Sequence, residues 1–125
     1  MKSKGTILCA FDTLDHFVAE RGIQFIDILK LDVQGTETRI LDGAEACLAA
    51  KKIGLVYSEI IVMPTYMGQE SFWKILRRFD EREMVLHNFY NHSLIRGRLR
   101  QVDAIFVAKH QLVTGPTAGR ENKDR

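Results

Sequence analysis

Apolar and polar residues along the chain are arranged in stretches that predict strands and helices in turn. Residues 6–11, 26–33 and 55–61 form short apolar runs typical of strands, and the run at 26–33 is apolar enough to predict a strand covered on both faces. Apolar residues at helical spacing follow each run. The first helix begins after a cap at Asp12 or Thr13, the second after a turn at Gly35, and the third covers residues 70–82. Gly43 lies inside the second helix, where it predicts a kink or a split. The chain therefore begins as a succession of strand and helix units.

The last third of the chain has a different pattern. Residues 84–90 and 102–109 predict two strands joined by the polar and basic stretch 91–100 with no helix between them, which indicates an antiparallel pair. Gly, Pro and charged residues from His110 onward predict a disordered tail. We therefore expect an α/β sheet, parallel at first and antiparallel at its edge, in one domain over residues 1–109, with a tail at 110–125.

Composition narrows the class of protein. A chain of 125 residues with 46% hydrophobic and 27% charged residues is typical of one globular domain. The net charge of +2 comes from 18 basic and 16 acidic residues in mixed order, which gives no reason to expect a nucleic-acid partner. No stretch approaches the ~20 apolar residues of a membrane span. We therefore take the cytoplasm as the default location.

Two carboxylates occupy positions where open α/β sheets bind ligands, outside the carboxyl ends of the strands. Asp32 closes the strand at 26–33, and Glu59 closes the strand at 55–61. If these strands are neighbours, both acids point at a common crevice. Lys30 lies two residues before Asp32 and shares its face of the strand. The alternative is that Lys30 forms an ion pair with Asp32 or Glu59 that only holds the sheet together.

Several short strings occur in the order and spacing of a known family. They are Thr13-Leu-Asp15, Lys30-Leu-Asp-Val-Gln-Gly-Thr-Glu37, Leu41-Asp-Gly-Ala44, Ser58-Glu-Ile60 with Pro64 and Tyr66, Phe89-Tyr-Asn91, and Gly97-Arg-Leu-Arg-Gln-Val-Asp-Ala-Ile-Phe106. Together they resemble the FkbM-type methyltransferases, over about residues 6–109. The resemblance implies a Rossmann-like class I methyltransferase fold, with a mainly parallel sheet and a final strand inserted antiparallel.

The resemblance also implies an activity, the transfer of a methyl group from S-adenosylmethionine to a hydroxyl on a sugar, a glycolipid or a polyketide. A carboxylate within hydrogen-bond reach can take the proton of such a hydroxyl. We assign Asp32 as the first candidate base or orienting group, Glu59 as the second, and Lys30 as the group that tunes them. Asp32 and Asp15 are the candidates for cofactor binding, and no metal ligands are assigned. The candidates for substrate binding are Tyr66, Tyr90 and Asn91.

The chain also departs from the family pattern. It has no Gly-x-Gly turn of the kind that allows a backbone to approach a cofactor closely. We therefore expect the chain to lack the cofactor-binding half of the domain, and in isolation to bind S-adenosylmethionine poorly and not to turn over. The alternative is a non-catalytic module that associates with itself or another chain through the open edge of the strand at 26–33.

Two further features have open interpretations. Arg96, Arg98 and Arg100 alternate and would share one face of a strand, where they could meet an anionic group or form a solvated hairpin face. Asp103 lies within an apolar strand, so it needs hydrogen-bond donors, which we expect around Asn91 or the turn at Gly97. We interpret Asp103 as structural.

Overall fold

The computed structural model describes residues 12–32, 37–64 and 67–112. Its elements follow one another as α1 (Leu14–Arg21), β1 (Ile26–Leu31), α2 (Glu37–Asp42), α3 (Glu45–Ala49), β2 (Ile53–Ile61), α4 (Phe72–Glu81), β3 (Met84–Ile95), β4 (Arg98–Ala108) and α5 (Lys109–Leu112). This order confirms the predicted succession of strands and helices after residue 12. The strand predicted at 6–11 and the turn predicted at Gly35 lie outside the described residues.

The strands form one four-stranded sheet in the order β1-β2-β4-β3. β1 and β2 are parallel, and β4 is antiparallel to both of its neighbours. The parallel beginning and the antiparallel pair at the end are therefore as predicted. β4, the last of the described strands, lies inside the sheet between β2 and β3, in the manner that the resemblance implies. The arrangement is consistent with part of a methyltransferase fold.

Local signals in the sequence set the helix boundaries. The side chain of Thr13 accepts a hydrogen bond from the backbone N–H of His16 at 3.1 Å, and α1 ends at Gly22, which has a φ of +64°. Ser71 caps α4 in the same way through the N–H of Lys74. The predicted kink or split at Gly43 is confirmed, because α2 ends at Asp42 and α3 begins at Glu45.

One face of the sheet packs against helices, and we call it the covered face. In β4 it carries Val102, Ala104 and Phe106, which are at most 1% exposed. The ring of Phe106 stacks on that of Phe79 from α4, with centroids 3.8 Å apart. Val56 of β2 lies opposite Phe106 and is also fully buried. Burial of these apolar side chains is the main source of stability of the fold.

The opposite face, which we call the open face, is covered less completely by the described residues. It carries Lys30 of β1, Tyr57 and Glu59 of β2, and Asp103 and Ile105 of β4, which are half-buried or exposed. The prediction that the first long strand is covered on both faces is therefore wrong for its described part. Ile28, on this face of β1, is 65% exposed. The apolar run indicated a strand correctly, but hydrophobicity alone does not reveal whether a second layer is present.

The final strand pair is longer than predicted. Residues 91–100 do not form a loop, because β3 continues to Ile95 and β4 begins at Arg98. Only Arg96 and Gly97 form the turn, with φ values of +50° and +77°. Left-handed backbone at both positions is the type I′ geometry that matches the twist of a hairpin. The strands were predicted too short because most side chains in this stretch are polar, and the prediction depended on apolar runs.

The described residues continue a short way past residue 109, and the domain boundary predicted there remains a prediction. The short helix α5 follows β4 directly and runs to Leu112. Residues 113–125, most of the predicted tail, lie outside the described residues. Among the described helices the longest has ten residues, so none of them is long enough to cross a bilayer.

Candidate functional site

The candidate site lies where the parallel strands β1 and β2 end. Lys30 pairs with Tyr57 and Leu31 with Ser58, so the next residues along the two strands are Asp32 and Glu59. Asp32 therefore directly follows β1, whereas Glu59 lies within β2, two residues before that strand ends at Ile61. The two acids lie near the same end of neighbouring parallel strands, but Glu59 does not close its strand as the sequence predicted. Asp32 is exposed and Glu59 is half-buried. Their predicted roles as base and second acid remain predictions.

Lys30 does not form the ion pair considered from the sequence. Among the ion pairs of the described residues, none joins Lys30 to Asp32 or to Glu59. Its ammonium group lies over the ring of Tyr57 instead, with Nζ 5.8 Å from the ring centroid. This contact is within the range of a cation–π interaction. The two acids are therefore not neutralised by Lys30 in this structure.

A hydrogen-bonded group lies beside the two acids on the open face. The Tyr57 hydroxyl donates to Oδ2 of Asp103 at 2.5 Å, and Nδ2 of Asn91 donates to the same oxygen at 2.7 Å. The hydrogen bond to Asp103, then burial and the negative charges of Asp103 and Glu59, raise the pKa of Tyr57 above its ordinary value, although the Asn91 side chain acts in the opposite direction. Tyr57 is therefore held as a neutral phenol whose O–H donates a hydrogen bond to Asp103.

The predicted substrate-binding residues are partly brought together. Tyr90 pairs with Asp103 across the β3–β4 ladder and is 37% exposed. Asn91 follows it at an irregularity of the strand, with a φ of +52° that asparagine tolerates better than most residues. Tyr66 lies outside the described residues. Tyr90 and Asn91 therefore lie beside Asp103, and their role in substrate binding remains a prediction.

The groups that donate hydrogen bonds to Asp103 are side chains and not the expected backbone N–H groups. The sequence suggested backbone groups near Asn91 or Gly97, whereas the structure provides the side chains of Tyr57 and Asn91. Tyr57 is the residue of the site that sequence reasoning missed. A signal was present, because Tyr57 lies two residues before Glu59 on one strand and must share its face.

Asp15 has a structural role that the sequence did not reveal. Its carboxylate accepts hydrogen bonds from the backbone N–H groups of Ala46 at 2.8 Å and Cys47 at 2.9 Å, at the beginning of α3. Burial acts to raise the pKa of Asp15, but these hydrogen bonds outweigh it and the pKa lies below the ordinary value. Asp15 therefore caps α3, and its role in cofactor binding remains a prediction.

The described glycines do not form a cradle for a cofactor. Gly22, Gly68 and Gly97 have positive φ, and a Cβ added at any of them would meet nothing within 4 Å, as in open turns. At Gly43 and Gly54 an added Cβ would meet protein atoms at 3.2 and 3.1 Å, so these glycines serve internal packing. The described residues therefore do not fit S-adenosylmethionine as a complete binding site. They also contain no group of three or more side chains suited to a metal ion.

Comparison with protein families decides the ancestry of the chain. The methyltransferase FkbM domain matches residues 12–88, which is more than half of the chain. The chain belongs to the FkbM methyltransferase family. Enzymes of this family are generally dependent on S-adenosylmethionine. No significant match is found among curated proteins or among solved structures.

The FkbM match covers only part of the resemblance seen in the sequence. It includes the strings around Asp15, Asp32 and Glu59, from just before α1 into β3. The strings at 89–91 and 97–106 lie beyond it. The two candidate acids therefore lie within the part of the chain that is similar to the FkbM family, whereas Asn91 and Asp103 do not.

Proposed function

We propose that this chain provides the acceptor side of an S-adenosylmethionine-dependent O-methyltransferase. The acceptor is a hydroxyl on a sugar, a glycolipid or a polyketide-type molecule. The observation that carries the proposal is the position of Asp32 and Glu59 near the same end of two adjacent parallel strands, beside Lys30 and Tyr57. Family membership supports the methyltransferase part of the proposal.

The two acids have different parts in this proposal. A hydroxyl becomes a nucleophile when a carboxylate within hydrogen-bond reach takes its proton. Asp32 is exposed directly beyond the end of β1, so it is accessible to an acceptor and serves as the base. Glu59 is half-buried on β2 and holds a second hydroxyl of the acceptor. The methyl group would come from S-adenosylmethionine, and these roles concern the acceptor alone.

Tyr90 and Asn91 form the wall of the acceptor site in this proposal. Asn91 uses its amide nitrogen to donate to Asp103, which leaves its carbonyl oxygen to accept from an acceptor hydroxyl. The Tyr90 ring is partly exposed beside it and offers an apolar surface to a sugar ring. Asp103 thereby holds Asn91 in place and does not touch the acceptor.

The test is methyl transfer from radiolabelled S-adenosylmethionine to a panel of sugars, glycolipids and polyketides. Because we expect the isolated chain not to turn over, transfer is measured in a complete enzyme of the FkbM family that carries the same residues at the matching positions. We expect Asp32→Asn to reduce transfer by about 100-fold or more, because the amide cannot take a proton. The matched control is Asp27→Asn, which removes the same charge from an exposed position near the other end of β1. Equal activity of the Asp32→Asn variant and the wild type would remove Asp32 as the base.

A second candidate function is association without catalysis. Among the described strands β1 pairs only with β2, so no described strand covers its other edge. The 65% exposure of Ile28 on the open face favours this candidate. Titration calorimetry with S-adenosylhomocysteine distinguishes the two functions. Micromolar binding supports the enzyme, whereas absence of binding at millimolar ligand, together with dimers in light scattering, supports association.

A further inference from the structure

The end of the β3–β4 hairpin combines apolar and basic residues in an unusual way. We call residues 94–99 the hairpin tip. Leu94 is 61% exposed and Ile95 is 44% exposed, although both lie within β3 and pair with β4. Arg96, which lies in the turn, and Arg98, which follows it, are also exposed. The tip therefore presents exposed aliphatic and cationic side chains together, whereas Leu99 beside them is half-buried and packs against the core.

The hairpin tip extends beyond the rest of the sheet. The last pair between β2 and β4 is Ile61 with Gln101, and the backbone N–H groups of Val62 and Met63 both donate to the carbonyl of Arg100. The pairs Leu94–Leu99 and Ile95–Arg98 lie further along the hairpin. With a rise of about 3.4 Å per residue, the tip reaches roughly 10 Å past these contacts.

The charge at the tip is not balanced locally. From residue 84 to residue 102 the chain contains three arginines and no acidic residue. Neither Arg96 nor Arg98 takes part in an ion pair with a described residue. Arg100 is held from within the hairpin, since its Nη2 lies 3.0 Å from Oγ of Ser93. The tip therefore has positive charge available for an anionic partner.

We propose that the hairpin tip docks on the surface of a lipid bilayer with anionic headgroups. Leu94 and Ile95 enter the boundary between headgroups and acyl chains, and Arg96 and Arg98 contact lipid phosphates. Such surfaces bind segments that combine exposed apolar side chains with lysine or arginine. The proposal concerns docking and does not depend on the proposed methyl transfer.

Chemistry favours a bilayer over a nucleic acid as the partner. A nucleic acid would pair with the arginines but would leave Leu94 and Ile95 against polar phosphates and sugars, whereas a bilayer takes up both kinds of side chain. A second exposed group supports this choice. Trp73 in the first turn of α4 is 75% exposed, and its neighbour Phe72 contacts Phe89 of the hairpin with ring centroids 5.8 Å apart. Tryptophan is enriched at the interface between membrane and water.

The first test is cosedimentation of the full chain with phosphatidylcholine vesicles that contain or lack about one third phosphatidylglycerol, a mixture chosen because anionic lipid attracts basic segments. We expect binding only to the anionic vesicles, and weaker binding as salt is raised. Arg96→Asn should weaken binding about fivefold. The matched control is Lys51→Asn. Lys51 is also exposed, and its φ of +58° is similar to the +50° of Arg96, so asparagine replaces a basic residue in the same backbone conformation at both positions.

The control separates the tip from general electrostatic attraction. Lys51 lies before β2, at the opposite end of the sheet from the tip, so its substitution should leave binding within about twofold, as for a charge remote from the bilayer. Leu94→Ser combined with Ile95→Ser should weaken binding about tenfold, since it removes the apolar contact. Equal binding of the tip variants and the wild type, or no binding to anionic vesicles, would overturn the proposal.

A fluorescence measurement locates the contact. The chain contains one tryptophan, Trp73, so the pair Trp73→Phe and Ile95→Trp places the only indole at the tip. We expect its emission to shift to shorter wavelength with anionic vesicles and to be quenched by brominated lipid. Binding without such a shift would mean that another surface contacts the bilayer, and binding to heparin but not to vesicles would mean a polyanion site. Either result contradicts the proposal.

Discussion

The covered face of the sheet carries Val56 and Phe106 against helices, whereas the open face carries Tyr57 and Asp103 beside exposed and half-buried side chains. The difference appears between adjacent residues of the same strands, because side chains of a strand alternate between its faces. Burial on one face stabilises the fold. Polar contacts on the other leave groups at the strand ends that can meet a ligand. The chain thus separates the residues that hold it together from those that could do chemistry.

The largest change in stability is expected when an aromatic ring is removed from the covered face. Phe79→Ala should lower the free energy of unfolding by about 3–5 kcal/mol, because a fully buried ring leaves a cavity. Ile105→Ala is the control from the open face, where the side chain is half-buried, and should cost about 1–2 kcal/mol. Urea unfolding measures both values. Equal losses would show that the open face is covered as completely as the other.

A second test concerns the capping of α3 by Asp15. Asp15→Ala should lower the free energy of unfolding by about 1 kcal/mol, since the amides of Ala46 and Cys47 lose their acceptor. The same change at Asp27, which is exposed, should have little effect.

The pH dependence of this effect has a definite sign. The pKa of Asp15 is lowered on folding, so its contribution is complete above the ordinary value of about 4 and is lost as the pH falls through the folded value. The free energy of unfolding of the Asp15→Ala variant should therefore fall less steeply at acidic pH than that of the wild type. An identical acid dependence would contradict the capping role.

The smallest effect on stability is expected on the open face. Because the pKa of Tyr57 is raised, one tyrosine should ionise in an ultraviolet titration above the ordinary value of about 10. Tyr57→Phe should remove this late step, and Asp103→Asn should bring it back toward the ordinary value.

The stability linked to Tyr57 is present below the ordinary pKa and is lost as the pH rises through the folded pKa. The Tyr57→Phe variant should lose less stability than the Phe79→Ala and Asp15→Ala variants, since it removes only one hydrogen bond at a partly exposed position. Titration of all tyrosines together near the ordinary value would show that the Tyr57–Asp103 contact is not formed in solution.

Much of the candidate site could be predicted because it depends on strand ends. Asp32 and Glu59 lie at the ends of apolar runs, and parallel neighbours bring such ends to one edge of a sheet. Tyr57 and Asp103 are 46 residues apart, and only the insertion of β4 beside β2 makes them neighbours. The capping role of Asp15 was missed for the same reason, because its partners begin a helix that is 31 residues away.

The sequence by itself determined the order of strands and helices after residue 12, the helix break at Gly43 and the family. These properties depend on local periodicity, on caps and on short strings, all of which are readable along the chain. Only the tertiary structure decided that Ile28 is exposed, that Lys30 lies over Tyr57, and that residues 91–100 form a projecting hairpin. Exposure and pairing depend on which elements pack together in space, and hydrophobic spacing along a chain does not specify those partners.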